Sequence, residues 1–322
     1  MIRPKVSVVI PVYNAANTIE KCVQSILVQS FSNFEILLIN DGSKDQSLAV
    51  LEKLKNSDAR IRIVDQENMG VAKTRNLGIQ LASSEYIMFI DNDDFIEKDY
   101  IETFYNEITQ KRLDIVIGGY KRINSENTIL HEEVVGNTEW SKYIIVAPWA
   151  RIYRRDFLLE KQIQFFDYGI GEDVVFNLLA YSKTKNVGII PYVGYYWFYN
   201  AKSVSNTSQK GLSKDLHLKV VLEEIIANCG DSDKELLEYY LYRYLVWYLL
   251  FSGRKATKAE FLRHFYENKT FLDQQFAYKN HLFSSKINGE SLRNRVIVAA
   301  FYAIERLRLM PIFSKIYCLG KE

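Results

Sequence analysis

Ile87-Met88-Phe89-Ile90-Asp91-Asn92-Asp93-Asp94 is the stretch from which the fold of this chain can be read. Four apolar residues in a row have the pattern of a strand buried on both faces. The chain then turns acidic at once. Three carboxylates within four positions repel one another, so one keeps its proton unless a cation neutralises the group. Hard divalent ions such as Mg²⁺ and Mn²⁺ take oxygen ligands, commonly one or two carboxylates together with substrate phosphates. The stretch is therefore a candidate seat for a metal–diphosphate. A solvated loop in which Asp93 or Asp94 caps the next helix is the other reading, and the chain in front of it favours the first.

Upstream, strand and helix patterns alternate. Val6 to Ile10 is β-branched and apolar and stops at Pro11, as a buried parallel strand would. Asn17 and Glu20 have capping-box spacing ahead of a helix whose apolar face is Ile19, Val23, Ile26 and Leu27. Phe34 to Ile39 is a second strand, and Ser43 and Gln46 repeat the capping-box spacing before a second helix. Ile61 to Val64 is a third strand. After the Asn68-Met69-Gly70 turn, Val71 to Leu81 is a third helix, and Tyr86 to Ile90 is the fourth strand. Repeated βαβ units of this kind imply a doubly wound α/β sheet.

Three of these strands end in an acid: Asp41, Asp65 and Asp91. Right-handed crossovers bring the carboxyl ends of parallel strands to one edge, where ligands of open α/β sheets bind. The acids then line one crevice, unless each is only a turn former or helix cap. No Gly-x-Gly-x-x-Gly follows the first strand, where Pro11-Val12-Tyr13-Asn14 stands, and no P-loop occurs, so neither phosphate motif is supported. Carboxylates suit neutral donors such as ribose hydroxyls and a pyrimidine N–H. A diphosphate would fall to the metal and to Lys73 or Arg75.

Taken together, Val8 to Asn14, Ile39 to Ser43, Gly70 to Gly78 and Ile90 to Asp94 resemble family 2 of the inverting glycosyltransferases, over roughly residues 5 to 120. The resemblance implies a GT-A fold, the doubly wound mixed sheet of nucleotide-diphospho-sugar transferases. It implies that Pro11, Val12 and Tyr13 line the nucleoside pocket and that Asp41 meets the base. Arg75 and Asn92 would lie beside the nucleotide, Asp91 would contact ribose, and Asp93, with Asp91, would hold Mg²⁺ or Mn²⁺. Downstream, Glu172-Asp173 with Phe176 resembles the family's Glu-Asp-x-x-Phe motif, in which the aspartate is taken as the base. Inverting transfer needs such a group, because the acceptor hydroxyl must lose a proton as it attacks. Asp173 is the expected base, with Glu172 placing it or touching the acceptor. Acids at a helix start also simply favour its positive end.

The second half is less patterned. Asp99 to Gln110 reads as a helix and Asp114 to Gly118 as a strand, and Lys121 to Trp140 as a hairpin or loop over the site. Arg151 stands where relatives often carry Lys after the Trp. Tyr195 to Tyr199 is an aromatic strand with two readings, a sugar-stacking wall or, for most of it, core packing. Asn200 replaces the Arg that commonly follows and weakens any phosphate contact there, and Ser203 is retained. From His217 to Phe251 the apolar spacing is helical, so a catalytic domain over 1–212 and a helical C-terminal region over 213–322 are expected.

Composition sets the remaining bounds. The 322 residues are 48% hydrophobic and 25% charged with net charge +2, ordinary for a globular protein and no sign of nucleic-acid binding. Cys22, Cys229 and Cys318 form no pair motif and suggest reduced thiols in a cytoplasmic setting. Met1 to Lys5 leads into the first strand with no apolar core, so no leader is expected. The last 41 residues carry seven Lys/Arg against three Glu around apolar runs. Such a segment either lies on an anionic membrane, at the inner face of the cell membrane, or packs as an amphipathic helix on the protein.

The expected activity is metal-assisted transfer of a sugar from a nucleotide-diphosphate donor, a UDP-sugar, to a glycan or polyprenyl-linked saccharide. A sugar nucleotidyltransferase would need a Gly-rich basic loop after the first strand. An inactive glycan- or lipid-binding partner would be expected to lose Asp93 or the Glu172-Asp173 pair.

Overall fold

A computed structural model of the chain describes residues 3–199, 211–212, 217–230 and 232–320. Asn200 and Ser203 lie outside the described residues. The chain divides into two compact units. The first comprises Met1–Asn137, Ile145–Asp167 and Glu172–Tyr199; the second comprises Thr138–Ile144, Tyr168–Gly171 and Asn200–Glu322.

The first unit is built on a mixed sheet. Its opening elements are β1 (Val6–Val12), α1 (Ile19–Leu27), β2 (Phe34–Asp41), α2 (Ser47–Ser57), β3 (Ile61–Gln66), α3 (Val71–Leu81) and β4 (Tyr86–Phe89). β5 (Phe95–Ile96), α4 (Tyr100–Gln110), β6 (Ile115–Ile123) and β7 (Ile129–Glu133) follow. After the short α5 (Ser141–Ile144) of the second unit come β8 (Arg151–Arg154), α6 (Arg155–Glu160), α7 (Glu172–Ser182) and β9 (Val187–Phe198).

The strand order among the described residues is β3-β2-β1-β4-β8-β6-β9-β5, with β7 added on β6. β1 to β4 run parallel, and β8 is inserted antiparallel between β4 and β6. The parallel β1 to β4 are what the βαβ pattern anticipates, and the mixed sheet as a whole is the one the family resemblance implies. β1 and β2 are buried at every position, as strands covered on both faces must be.

Several local expectations need correction. Pro11 does not end β1, which continues to Val12. β4 pairs with β1 only as far as Val9, so beyond that point one side of β1 has no ladder to lose to a residue without an N–H. Neither capping box forms. α1 starts at Ile19 with no side-chain cap; the Thr18 and Ile19 N–H groups donate to Ala15 O, while the Ala15 and Ala16 N–H groups reach across to Ser47 Oγ and Asp45 Oδ2. Likewise Ser43 Oγ accepts from Asn14 N, and Asp45 takes over at the start of α2, accepting from Ser47 N at 2.9 Å. The loops after β1 and β2 are thus zipped to each other. The hairpin expected in Lys121 to Trp140 is β6–β7.

The second unit is helical: α8 (Leu218–Asn228), α9 (Lys234–Ser252), α10 (Lys258–Gln275), α11 (Leu292–Arg306) and α12 (Met310–Tyr317). Asp233 caps α9, and Thr257 with Glu260 makes a full capping box on α10. The core of α9 is aromatic, with Tyr239, Tyr240 and Tyr242 buried beside Leu245 and Leu249.

Candidate active site

The site lies at the carboxyl ends of β1, β2 and β4. Asp41, the last residue of β2, is buried and acts as an anchor for the turn into α3. Its carboxylate accepts from Met69 N at 2.8 Å, Gly70 N at 3.0 Å and Gln66 Nε2 at 2.8 Å. Gly70 has φ of 87°, a conformation costly for any residue with a Cβ. The turn fixes where α3 begins, and hence where Arg75 points. Asp65 is exposed and accepts from Asn40 Nδ2 at 2.6 Å.

Arg75 is the hub. Its side chain is 4% exposed. Nη2 donates to Asp91 Oδ1 at 2.9 Å and Nη1 to Asp173 Oδ1 at 2.6 Å. One guanidinium therefore joins the end of β4 to the first turn of α7. The two carboxylates keep a solvent-facing side, at 32% and 28% exposure. Arg75 is not a free cation for a diphosphate, since both terminal nitrogens are spent on carboxylates. Lys73, by contrast, is exposed.

An aromatic floor keeps water from the inner side of this clamp. Phe165 lies 5.3 Å from the Arg75 guanidinium and stacks on Phe176 with centroids 3.8 Å apart. Phe89 meets both rings edge-on. Asn76, one residue after Arg75, exchanges two hydrogen bonds with the Phe165 backbone. Phe176, three residues after Asp173 on the same helix, thus ties α7 to Phe165 and Phe89.

The acidic cluster divides by environment. Asp94 is neither solvated nor a helix cap: it is buried, accepting from the Tyr195 hydroxyl and from Phe198 N at 2.8 Å. It holds β9 against the end of β4. Burial pushes its carboxyl well above the ordinary range, and Asp91 and Asp93 add to the rise. Asp93 is pushed up to about 6, first by burial and then by Asp91. Asn92 turns inward, donating to Pro11 O at 2.8 Å and tying β4 to β1. Beside them, Val12 is buried, while Tyr13 and Asn14 are exposed at the mouth of the β1 loop. Asn14 sits at positive φ, and its Oδ1 accepts from Lys44 N.

Asp173 lies with Glu172 in the first turn of α7, where its charge meets the positive helix end. Burial raises its carboxyl above the ordinary range; Arg75 pulls it back, and Glu172 and Asp91 push it further up. The Asp91 and Asp173 charges in turn outweigh the burial of Arg75 and hold it protonated. Asn177, one turn on from Asp173, donates to Asp173 O and Val146 O and accepts from the Tyr153 hydroxyl.

Arg151 carries a role that its sequence position did not disclose. It is fully buried and folds the segment before β8 around itself, donating to the carbonyls of Ile145, Ala147 and Trp149 and to the Tyr181 hydroxyl. That fixes Trp149, which stacks on Tyr195 at 4.7 Å. The Asp173–Asn177 spacing of one helical turn was the available signal for Asn177. Nothing local signals the Arg151 partners.

The residues present suit a hard divalent cation. Crowded aspartates, with Asp93 raised by burial and then by Asp91, are a donor set that a cation would relieve. Among the described residues no three His, Cys, Asp or Glu side chains form a complete metal cage. A Mg²⁺-type ion does not need one, since it commonly binds through one or two carboxylates plus substrate phosphates.

The model of the family described as "Glycosyl transferase family 2" matches residues 7–170. The uncharacterized glycosyltransferase EpsJ of Bacillus subtilis is 33% identical over 262 residues, covering 75% of this chain and 76% of EpsJ. Glycosyltransferase GlyA of Streptococcus pneumoniae is 31% identical over 206 residues, covering 58% of this chain but only 29% of GlyA. Among solved structures, S. aureus TarS 1–349 in complex with UDP-GlcNAc aligns over 94% of this chain and 92% of that chain, with a TM-score of 0.70 at 20% identity. That likeness concerns the fold.

Proposed function

The chain belongs to the family 2 glycosyltransferases, and we propose that it moves a sugar from a UDP-sugar to a hydroxyl of a glycan or polyprenyl-linked saccharide, with inversion, using Asp173 as base. The observation that carries this reading is the Arg75 bridge between Asp91 and Asp173. It holds a donor-side acid and a base-side acid at one spot, from segments far apart in the chain. TarS, which shares the fold, has been solved with UDP-GlcNAc.

In this mechanism Asp173 Oδ1 stays on Arg75, and its other oxygen accepts the acceptor hydroxyl proton. The acceptor oxygen bonds to the anomeric carbon from the face opposite the diphosphate. The bond from that carbon to the diphosphate oxygen breaks, and its electron pair leaves with the nucleoside diphosphate. A base raised above the usual carboxylate range is better matched to this proton than a free aspartate. Asp91 positions ribose, and Pro11, Val12, Tyr13 and Asn14 frame the nucleoside. Asp41 reaches the base directly or acts through the Gly70 turn that it anchors, with Asp65 at the outer edge and Lys73 beside the phosphates. Asp93, with Asp91, would hold Mg²⁺ or Mn²⁺, which when bound neutralises the departing diphosphate. Glu172 meets the acceptor.

A thermal-shift panel of nucleotide-sugars, with and without Mn²⁺, tests the donor assignment. UDP-sugars should stabilise the protein, more so with Mn²⁺. Stabilisation by another nucleotide class alone would refute the assignment.

A further inference from the structure

The helices α11 and α12 are packed on one side only. Their inward residues meet α10: Phe301 lies edge-on to Phe265 at 6.0 Å, and Phe313 lies 5.9 Å from Phe261. Val298, Met310 and Ser314 are also buried. The chain end beyond α12 is pinned, with Leu319 N donating to Arg254 O and Gly320 N to Ala256 O.

The outward side is apolar and uncovered. On α11, Leu292, Val296, Ala300, Ala303 and Leu307 recur at helical spacing, and all are exposed. Around α12 the same holds for Leu309, Ile312, Ile316 and Leu319. Leu292, Leu307 and Ile316 are 72%, 68% and 77% exposed, far beyond a stray surface leucine. Single exposed apolar residues need no explanation, but two helical stripes in succession do.

The charges on these helices are one-sided. Glu305 is the only acid from residue 291 to 320, and it faces Lys269 at 3.6 Å. Arg293, Arg306, Arg308 and Lys315 are exposed, and none has an ion-pair partner among the described residues. Arg295 differs: it turns inward and donates to the carbonyls of Leu282, Ser284, Ile287 and Glu290. No described helix is long and apolar enough to cross a membrane. The sequence left two alternatives for this segment, packed helix or membrane surface. Its inward face takes the first role and leaves the outward face free for the second.

We propose that the outward face of α11 and α12 docks on an anionic phospholipid surface, the leucine and isoleucine stripes entering the headgroup region and the four free cations meeting lipid phosphates. A second copy of the chain is a poorer occupant, because two such faces would bring eight like charges together. Amphipathic helices bind in the interface plane through buried apolar area and attraction to anionic lipid, which is the combination present here.

The test uses the full chain with sedimented vesicles of phosphatidylcholine, with and without phosphatidylglycerol. The protein should pellet with the anionic vesicles and much less with the neutral ones, and added salt should release it. Val296→Asp/Leu307→Asp/Ile316→Asp should cut binding at least tenfold. Arg306→Glu/Arg308→Glu/Lys315→Glu should cut it by more than the roughly fivefold expected per lost cation at a charged surface. All six positions are exposed, so transfer to a soluble acceptor should be unchanged in both variants, which separates this proposal from the catalytic one. Equal binding to both vesicle types, or variant binding equal to wild type, would overturn it. So would a wild-type dimer that the aspartate variant splits while neither protein binds vesicles.

Discussion

Arg75 Nη1 donates to Asp173 Oδ1 at 2.6 Å across 98 residues of sequence. The same guanidinium holds Asp91 through its other terminal nitrogen. The end of the fourth strand and the start of α7 are therefore one electrostatic unit, and its charge balance sets how the site can react.

Lysine cannot reproduce that unit, because a point cation lacks the planar fork that serves two carboxylates at once. Arg75→Lys should keep the fold but lower kcat by about 100-fold, the order expected when a reacting group is misplaced by about 1 Å. Arg75→Ala leaves two acids without their cation and should cost roughly 3 kcal/mol in urea unfolding, the lower end for a broken buried pair because both acids retain some solvent. An Arg75→Lys enzyme with normal kcat would show that the bridge is only structural.

Cation binding should depend on pH through Asp93. Its carboxyl sits at about 6, above the ordinary value near 4. Protons and the cation compete for the same oxygens, so Mn²⁺ affinity should fall as pH drops through about 6 and level off on the alkaline side. Calorimetric Mn²⁺ titration in the presence of UDP measures this directly. Asp93→Asn should weaken binding and flatten the pH dependence; an unchanged profile would move the cation elsewhere.

Arg151→Lys should destabilise the protein by about 2 kcal/mol, since one ammonium cannot replace the donors now given to three carbonyls and a hydroxyl. Because the segment it folds carries Trp149, near-ultraviolet circular dichroism should change in the folded variant. An unaltered melting temperature would contradict the role.

Tyr195→Phe removes the hydroxyl that donates to Asp94 and accepts from Asp91 N. It should cost about 2 kcal/mol, the scale for leaving buried partners unmet. Urea denaturation measures the loss, and a cost near zero would show that Asp94 is held by other means.

Much of this was legible in the sequence where the cause is local. The third helix, Val71 to Leu81, is legible to both of its ends, with the Asn68-Met69-Gly70 turn opening it. The alternation of strands and helices discloses the parallel β1 to β4, but not the antiparallel insertion of β8. The capping boxes are replaced by contacts across two loops, in which Ser43, Asp45 and Ser47 accept from the Asn14, Ala15 and Ala16 N–H groups. The environment of Arg75 was not legible, since its partners arrive from β4 and α7. Asp94 looked like one more acid in a row, and only the arrival of β9 with Tyr195 separates it from Asp93.

The most direct measurement is the turnover of Asp173→Asn beside its affinity for UDP. The amide keeps the shape and one acceptor for Arg75 but takes no proton. Transfer should fall about 1,000-fold, within the range for loss of a general base, while UDP binding by calorimetry stays within a few-fold of wild type. Near-normal turnover would remove Asp173 from the chemistry; lost UDP binding would make it part of the donor site instead.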